Sequence, residues 1–176
     1  PDNHTYSSVL VAYLEAGEPA KAIELFEATL DKSPDLVMYN NAINCYAAAN
    51  DLEGATKTFA RIKEAGLKPS VREYSSLIFA HARHGEGERA ERVLRMMEED
   101  GVVPTLHTLT SVITAWSKSG DIERATSWLN RLLQRGIKPS NRTINSMIYA
   151  HTQALDVAGA EYYFENMQSL YGLHPD

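Results

Sequence analysis

The stretch Gly66-Leu67-Lys68-Pro69-Ser70 is repeated later in the chain, with isoleucine in place of leucine, as Gly136-Ile137-Lys138-Pro139-Ser140. Its proline belongs to a series with a constant step of 35 residues: Pro34, Pro69, Pro104 and Pro139. The same step separates Ala55, Ala90, Ala125 and Ala160. Self-similarity at a fixed period of this size is typical of stacked-repeat proteins. Each unit is therefore predicted to bury its apolar face on its neighbours.

The prolines divide the chain into a single repeat domain of five units. Their predicted bounds are residues 3–35, 36–70, 71–105, 106–140 and 141–176. The first unit is shorter and the last longer than the middle three, and both changes follow an aromatic residue, Phe26 or Phe164. We expect these changes near the end of a second helix, where loops tolerate them. Neither end carries an evident polar capping helix, which predicts that the chain is part of a longer protein.

Each unit is predicted to contain two helices. The first helix, as in Val71 to Arg83, repeats apolar residues four apart on one face. A break follows at Gly17, Asn50, Gly85, Gly120 and Leu155, and Gly or Asn suits the left-handed end of a helix. Asp51, Asp121 and Asp156 then stand where a carboxylate can cap the second helix. The predicted fold is all-α, a right-handed α-solenoid of tandem helix-turn-helix repeats with the first helices on its concave side.

Composition excludes several classes of protein. The single cysteine, Cys45, excludes a disulfide framework, and the apolar runs are too short for a transmembrane span. No targeting peptide is visible. The net charge of −6 lacks the basic footprint of most nucleic-acid-binding proteins. The charge is uneven, however, since residues 106–140 hold five Lys or Arg against two acids, whereas residues 3–35 hold two against six.

Two short motifs resemble a known family. The openings of two units read Tyr39-Asn40-Asn41-Ala42-Ile43 and Ile144-Asn145-Ser146-Met147-Ile148, and the closures read like Gly66 to Ser70. This 35-residue pattern resembles the pentatricopeptide repeat over nearly the whole chain. The tetratricopeptide repeat is the near neighbour, but its Trp-x-x-Leu-Gly-x-x-Tyr run is absent from the first helices, where Trp116 does not occupy the expected place.

The resemblance implies single-stranded RNA as the partner, bound in a mitochondrion or plastid with about one base per repeat. In the family, a polar residue near the start of the first helix reads a base together with the last residue of the same repeat. The corresponding pairs here are Ser7 with Asp35, Asn40 with Ser70, Ser75 with Thr105, Thr110 with Ser140, and Asn145 with Asp176. The family's rules assign guanine to the first pair, cytosine to the second and uracil to the fifth.

Two further positions are implied by the same resemblance. The residue three before each reader contacts base faces, and here it is His4, Val37, Arg72, His107 or Arg142. Near the end of the first helix the family often has a lysine that faces phosphate. Only Arg83 and Lys118 are basic at that place, while the other units have Glu15, Ala48 and Gln153. Two charge contacts predict a shallow dependence of RNA binding on salt.

No catalytic or metal site is predicted. His81 and His84 have a spacing seen in metal sites, but His81 shares its slot with Tyr46 and Trp116, which predicts a packing position. We expect no cofactor, no small-molecule substrate and no membrane association. The leading hypothesis is sequence-selective RNA binding in RNA processing, stability or translation. The alternative is a protein-interaction scaffold within a ribonucleoprotein assembly, such as an organellar ribosome or transcription complex, which the acidic balance favours.

Overall fold

The computed structural model describes residues 2–174, which form eleven α-helices and one 3-10 turn and contain no strand. The helices are α1 Asn3–Glu15, α2 Pro19–Glu27, α3 Leu36–Ala48, α4 Leu52–Glu64, α5 Val71–Arg83, α6 Gly87–Glu99, α7 Leu106–Ser119, α8 Ile122–Gln134, α9 Asn141–Gln153, α10 Val157–Glu165 and α11 Met167–Tyr171. The 3-10 turn is Leu30–Lys32. The predicted first helix of the third repeat coincides with α5.

The corner after each first helix is left-handed, as predicted. The positive φ angles are 73° at Gly17, 64° at Asn50, 68° at Gly85, 81° at Gly120 and 57° at Leu155. Glycine adopts this conformation without steric cost and asparagine does so more easily than other residues. Leu155 is the exception, a branched and 87% exposed side chain held in the same conformation. The backbone at this corner is therefore strained in the fifth repeat.

The second helices begin at the predicted aspartates. A carboxylate oxygen of Asp51 accepts from the backbone N–H of Gly54 at 2.7 Å. Asp121 and Asp156 accept in the same way, at 2.9 and 3.0 Å, from residues three further on. Each carboxylate satisfies an N–H that the helix itself leaves without a partner and meets the positive end of the helix dipole. The predicted caps of α4, α8 and α10 are thus confirmed.

The chain separates into two larger compact units, each containing more than one repeat. From here on, the first unit is the one that ends at Ala80, and the second unit is the one that begins at His81. In the first unit, α1 pairs with α2 and α3 pairs with α4, while α3 also packs on both helices of the preceding hairpin. Aromatic pairs join successive repeats. The rings of Phe26 and Tyr39 lie 5.6 Å apart in an edge-to-face arrangement, and those of Phe59 and Tyr74 lie 4.9 Å apart. Such pairs contribute beyond the apolar area that they bury.

The second unit repeats this packing with aliphatic side chains. Helix α7 pairs with α8, α9 pairs with α10, and α9 also packs on α7 and α8. Leu94, Ile113, Leu129 and Met147 are at most 2% exposed and form its core. In this unit, the apolar stripe of the hairpin formed by α7 and α8 is covered by α9 of the next hairpin.

One carboxylate organises the polar contacts of this second unit. Oε2 of Glu91 in α6 accepts from the indole N–H of Trp116 in α7 and from that of Trp128 in α8, both at 3.1 Å. Its Oε1 accepts from Arg95 at 2.8 Å. Burial opposes ionisation of Glu91, but the donors from Trp128, Arg95 and Trp116 outweigh it and lower the pKa of the carboxyl. Three helices therefore meet on one charged side chain.

The second helix is broken in the two repeats whose length departs from 35. Helix α2 ends at Glu27 and is followed by the 3-10 turn, and α10 ends at Glu165, just before α11. In the middle repeats α4, α6 and α8 each run through 13 residues without interruption. These breaks lie in the segments where the length changes are predicted. None of the helices within residues 2–174 is both long and apolar enough to cross a bilayer.

Candidate nucleic-acid interface

The predicted base-stacking residues are all exposed. His4, Val37, Arg72, His107 and Arg142 each occupy the second position of a first helix. Even the apolar Val37 exposes 43% of its surface. The first turn of a helix leaves its outward side chains clear of the following turns. Within each unit, a ligand at the start of a first helix would therefore meet the side chain at this position.

The predicted readers at the fifth position differ widely in exposure. Ser7, Asn40 and Thr110 are buried, at 6%, 2% and 3% exposure, whereas Ser75 is half-buried and Asn145 is exposed. The Oγ of Ser7 has no hydrogen-bond partner. A buried hydroxyl without a partner is unfavourable, and a hydrogen bond from this atom to a ligand would remove that cost.

Two of the buried readers bond to the following first helix. Oδ1 of Asn40 accepts from the hydroxyl of Ser76 at 2.8 Å, which leaves the amide N–H groups of Asn40 as donors for a base. The hydroxyls of Thr110 and Thr143 bond to each other at 2.8 Å. Thr110 therefore holds its single hydroxyl within the helix packing, unlike Asn145.

The predicted readers at the end of each repeat also cap the next first helix. Asp35 accepts from the N–H of Met38 at 2.9 Å, and Thr105 and Ser140 accept from residues three further on at 3.3 Å. The hydroxyl of Ser70 accepts from the N–H of Arg72 at 3.2 Å. Asp176 lies outside the described residues. These side chains thus have a structural role that the sequence pattern alone did not separate from base reading.

The two basic residues predicted to face phosphate lie side by side in the second unit. The ammonium group of Lys118 donates to the backbone carbonyl of Arg83 at 3.1 Å, and both side chains are exposed. The corresponding Glu15 and Ala48 of the first unit are also exposed but bring no positive charge. At this position of the first helix, α5 and α7 therefore carry a positive charge that could attract a phosphate, whereas α1 and α3 do not.

His81 is a packing residue, as the sequence predicted. It is 1% exposed, and its Nδ1 lies 2.7 Å from Oε2 of Glu86. Burial lowers the pKa of His81, although Glu86 opposes that shift. Among residues 2–174, no group of three or more His, Cys, Asp or Glu side chains could hold a metal ion.

A cleft of about 330 Å3 lies between α7 and α9, and we call it the α7–α9 cleft. Its lining residues are Thr114, Ser117, Lys118, Arg142, Asn145, Ser146 and Tyr149. The cleft therefore brings a predicted reader, a predicted stacking residue and a predicted phosphate contact into one place. Thr114 and Ser146 bond to each other across it through their hydroxyls at 2.8 Å.

Tyr149 is the feature of this cleft that the sequence analysis missed. It lies four residues after Asn145, which puts both on the same helix face, and it is 44% exposed. The spacing from Asn145 was a usable signal. The corresponding residues of the other repeats are Val11, Asn44, Phe79 and Thr114, so an aromatic side chain recurs only in the third repeat and the position has no constant chemical character.

Comparison with family models gives one consistent result. A model described as pentatricopeptide repeat-containing protein matches residues 76–170, more than half of the chain. A pentatricopeptide repeat domain model matches residues 28–81, and a PPR repeat model matches residues 4–32. A mitochondrial pentatricopeptide repeat-containing protein of Arabidopsis thaliana is 37% identical over 60 residues, which cover 34% of this chain and 11% of that protein.

Solved structures show the same fold. The crystal structure of the pentatricopeptide repeat protein PPR10 from maize aligns with the whole chain at 25% identity and a TM-score of 0.73. PPR10 in complex with an 18-nt psaJ RNA element aligns at 22% identity and a TM-score of 0.87. The chain spans about a quarter of PPR10. The PPR domain of Arabidopsis thaliana protein-only RNase P 1, in complex with tRNA, aligns over 93% of this chain and 87% of that domain at 12% identity, with a TM-score of 0.74. The predicted all-α solenoid class of tandem hairpins is confirmed.

Proposed function

Because the chain belongs to the pentatricopeptide repeat family, we propose that it binds single-stranded RNA sequence-selectively, with about one base per repeat. The observation that carries this proposal is the exposure of a stacking residue at the start of every first helix, from His4 to Arg142. Imidazole and guanidinium planes stack on bases whatever their identity. Neighbouring polar readers would then supply the selectivity.

The readers are unequal in what they offer a base. Asn40 and Asn145 keep amide donors for a Watson–Crick edge, and the assignments to cytosine and uracil rest on them. Thr110 already uses its hydroxyl on Thr143. We therefore propose that selectivity is strongest at the second and fifth repeats and weakest at the fourth.

The proposed site of action is an organelle. The curated relative is named as mitochondrial, and we extend that location to this chain. The role there would be in the processing, stability or translation of a transcript. The repeats themselves supply binding, and we assign the chain no enzymatic step.

A protein-interaction scaffold is the second candidate, and the first unit favours it. Val9, Val11 and Val37 are between 37% and 43% exposed, and Glu15 stands where a phosphate contact would need a cation. An apolar and acidic surface suits a protein partner better than a phosphate chain.

The test is fluorescence anisotropy with a randomised single-stranded RNA pool, duplex RNA and single-stranded DNA at two salt concentrations. We expect selective binding to single-stranded RNA that Asn145→Ala weakens. Asn130→Ala removes an exposed asparagine from α8 instead and is the matched control. Equal binding to all three nucleic acids, erased by salt, would remove the selectivity proposal and favour the scaffold.

A further inference from the structure

We propose that Tyr149 is a base-stacking residue in the α7–α9 cleft, in addition to the stacking residues at the helix starts. The inference rests on the proposed RNA-binding function and assigns it a residue that the repeat pattern does not provide. It concerns a single nucleotide of the bound strand, held between α7 and α9.

The position of Tyr149 is the first argument. It lies one helical turn beyond Asn145, on the same face of α9, and both residues line the cleft together with residues of α7. A base whose edge meets Asn145 would therefore have the phenol ring within reach of its face. Tyrosine is suited to this role because its ring offers a broad apolar surface with few rotamers to fix.

The charge of the cleft is the second argument. Lys118 and Arg142 both line it, and no acidic side chain of the described residues does so. A cleft of similar size in the first unit also offers an aromatic ring and cations, from Tyr46, Lys57 and Arg61, but its lining adds the carboxylates of Glu27, Asp51 and Glu53. The α7–α9 cleft combines an aromatic surface with cations for the adjoining phosphates and has no carboxylate among its described lining residues, which is the combination that single-stranded nucleic acids need.

The third argument is an unused hydrogen-bonding group. Ser117 lines the cleft at 0% exposure, and its Oγ has no partner. A buried hydroxyl without a partner is unfavourable, so a polar ligand atom reaching the cleft wall would gain a bond that the protein itself leaves unmade. A nucleotide has polar atoms on its base, sugar and phosphate, whereas an apolar ligand would leave this group unsatisfied.

The experiment uses the wild-type chain and the RNA that it selects from a randomised single-stranded pool. A single 2-aminopurine, whose fluorescence falls when it stacks, is placed at each nucleotide in turn. We expect one position at which binding quenches the probe in the wild type and in Tyr149→Phe but not in Tyr149→Leu. Affinity for the unmodified RNA should fall about tenfold in Tyr149→Leu and remain within about twofold in Tyr149→Phe.

An abasic nucleotide separates stacking from reading. Removing the base over Tyr149 takes the contact with Asn145 from both proteins, so the loss of affinity should be about tenfold greater in the wild type than in Tyr149→Leu, because only the wild type also loses the stacking contact. Tyr162→Leu, which alters an exposed tyrosine of α10, is the matched control and should bind like the wild type. Wild-type binding with no change in Tyr149→Leu would overturn this inference alone. Failure of the wild-type chain to select any RNA would overturn the proposed function as well.

Discussion

Replacing Glu91 tests how far the second unit depends on a single carboxylate. Glu91→Leu leaves two indole N–H groups without an acceptor, in side chains that are 5% and 4% exposed. Each stranded donor costs about 1–3 kcal/mol. The lost pair with Arg95, whose side chain is 63% exposed, adds at most about 1 kcal/mol. Relief from burying a charge offsets part of this. We expect a net loss of about 2–4 kcal/mol.

Glu91→Gln is the matched control because one oxygen, Oε2, accepts from both indoles. The amide oxygen of glutamine can take its place, so the expected loss is about 1 kcal/mol or less. Urea unfolding followed by tryptophan fluorescence is the assay, since the only two tryptophans of the chain, Trp116 and Trp128, both contact Glu91. Their emission therefore reports on this unit even if the repeats do not unfold together. Equal losses in the two variants would refute the account.

Three further expectations follow from single residues. Leu155→Gly should raise the free energy of unfolding by about 0.5–1 kcal/mol, because relief of the left-handed strain exceeds the entropy that glycine adds to the unfolded chain. The measurement is the urea midpoint, and an unchanged midpoint would contradict the strain. Burial lowers the pKa of His81 in the folded state. The contribution of this side chain to the free energy of unfolding is therefore complete above the ordinary pKa of 6.5 and is lost as the pH falls through the folded-state pKa. His81→Gln should therefore flatten the decline of stability measured between about pH 7 and 5, and an identical decline would count against this assignment. Lys118→Gln should weaken RNA binding and reduce the slope of log binding constant against log salt concentration by about 0.7. Lys57→Gln on α4 is the control and should leave the slope unchanged. Equal slopes in the wild type and both variants would exclude a phosphate contact by Lys118.

The sequence predicted those features that depend on neighbours along the chain. The left-handed corners and the aspartate caps both follow from residues within one turn of the place concerned. Contacts between repeats were harder to predict. Nothing near Glu91 in the sequence shows that its partners are Trp116 and Trp128.

The burial of the predicted readers also depends on contacts between repeats. Thr110 and Asn145 occupy equivalent places in the repeat, yet one is buried against Thr143 and the other is exposed. Thr110 in α7 is covered by α9, whereas no further first helix follows Asn145 within the described residues, and a single-repeat pattern does not contain that information. The sequence places Arg83 and Lys118 at the same position of successive repeats, whereas the bond from the Lys118 ammonium group to the Arg83 carbonyl depends on how the helices pack.

Under the proposed base-reading function, the capping role of the end-of-repeat residues limits how this chain could acquire new targets. Asp35, Thr105 and Ser140 hold the first turn of the helix that follows them, and only Asp, Asn, Ser, Thr and, less well, Gly perform that task. A mutation at such a position that brings in a larger or apolar side chain would lose about 1 kcal/mol of helix stability before any change in recognition could be selected. Evolution and laboratory recoding would thus both draw on the same short alphabet, imposed by the helix end rather than by the nucleic acid.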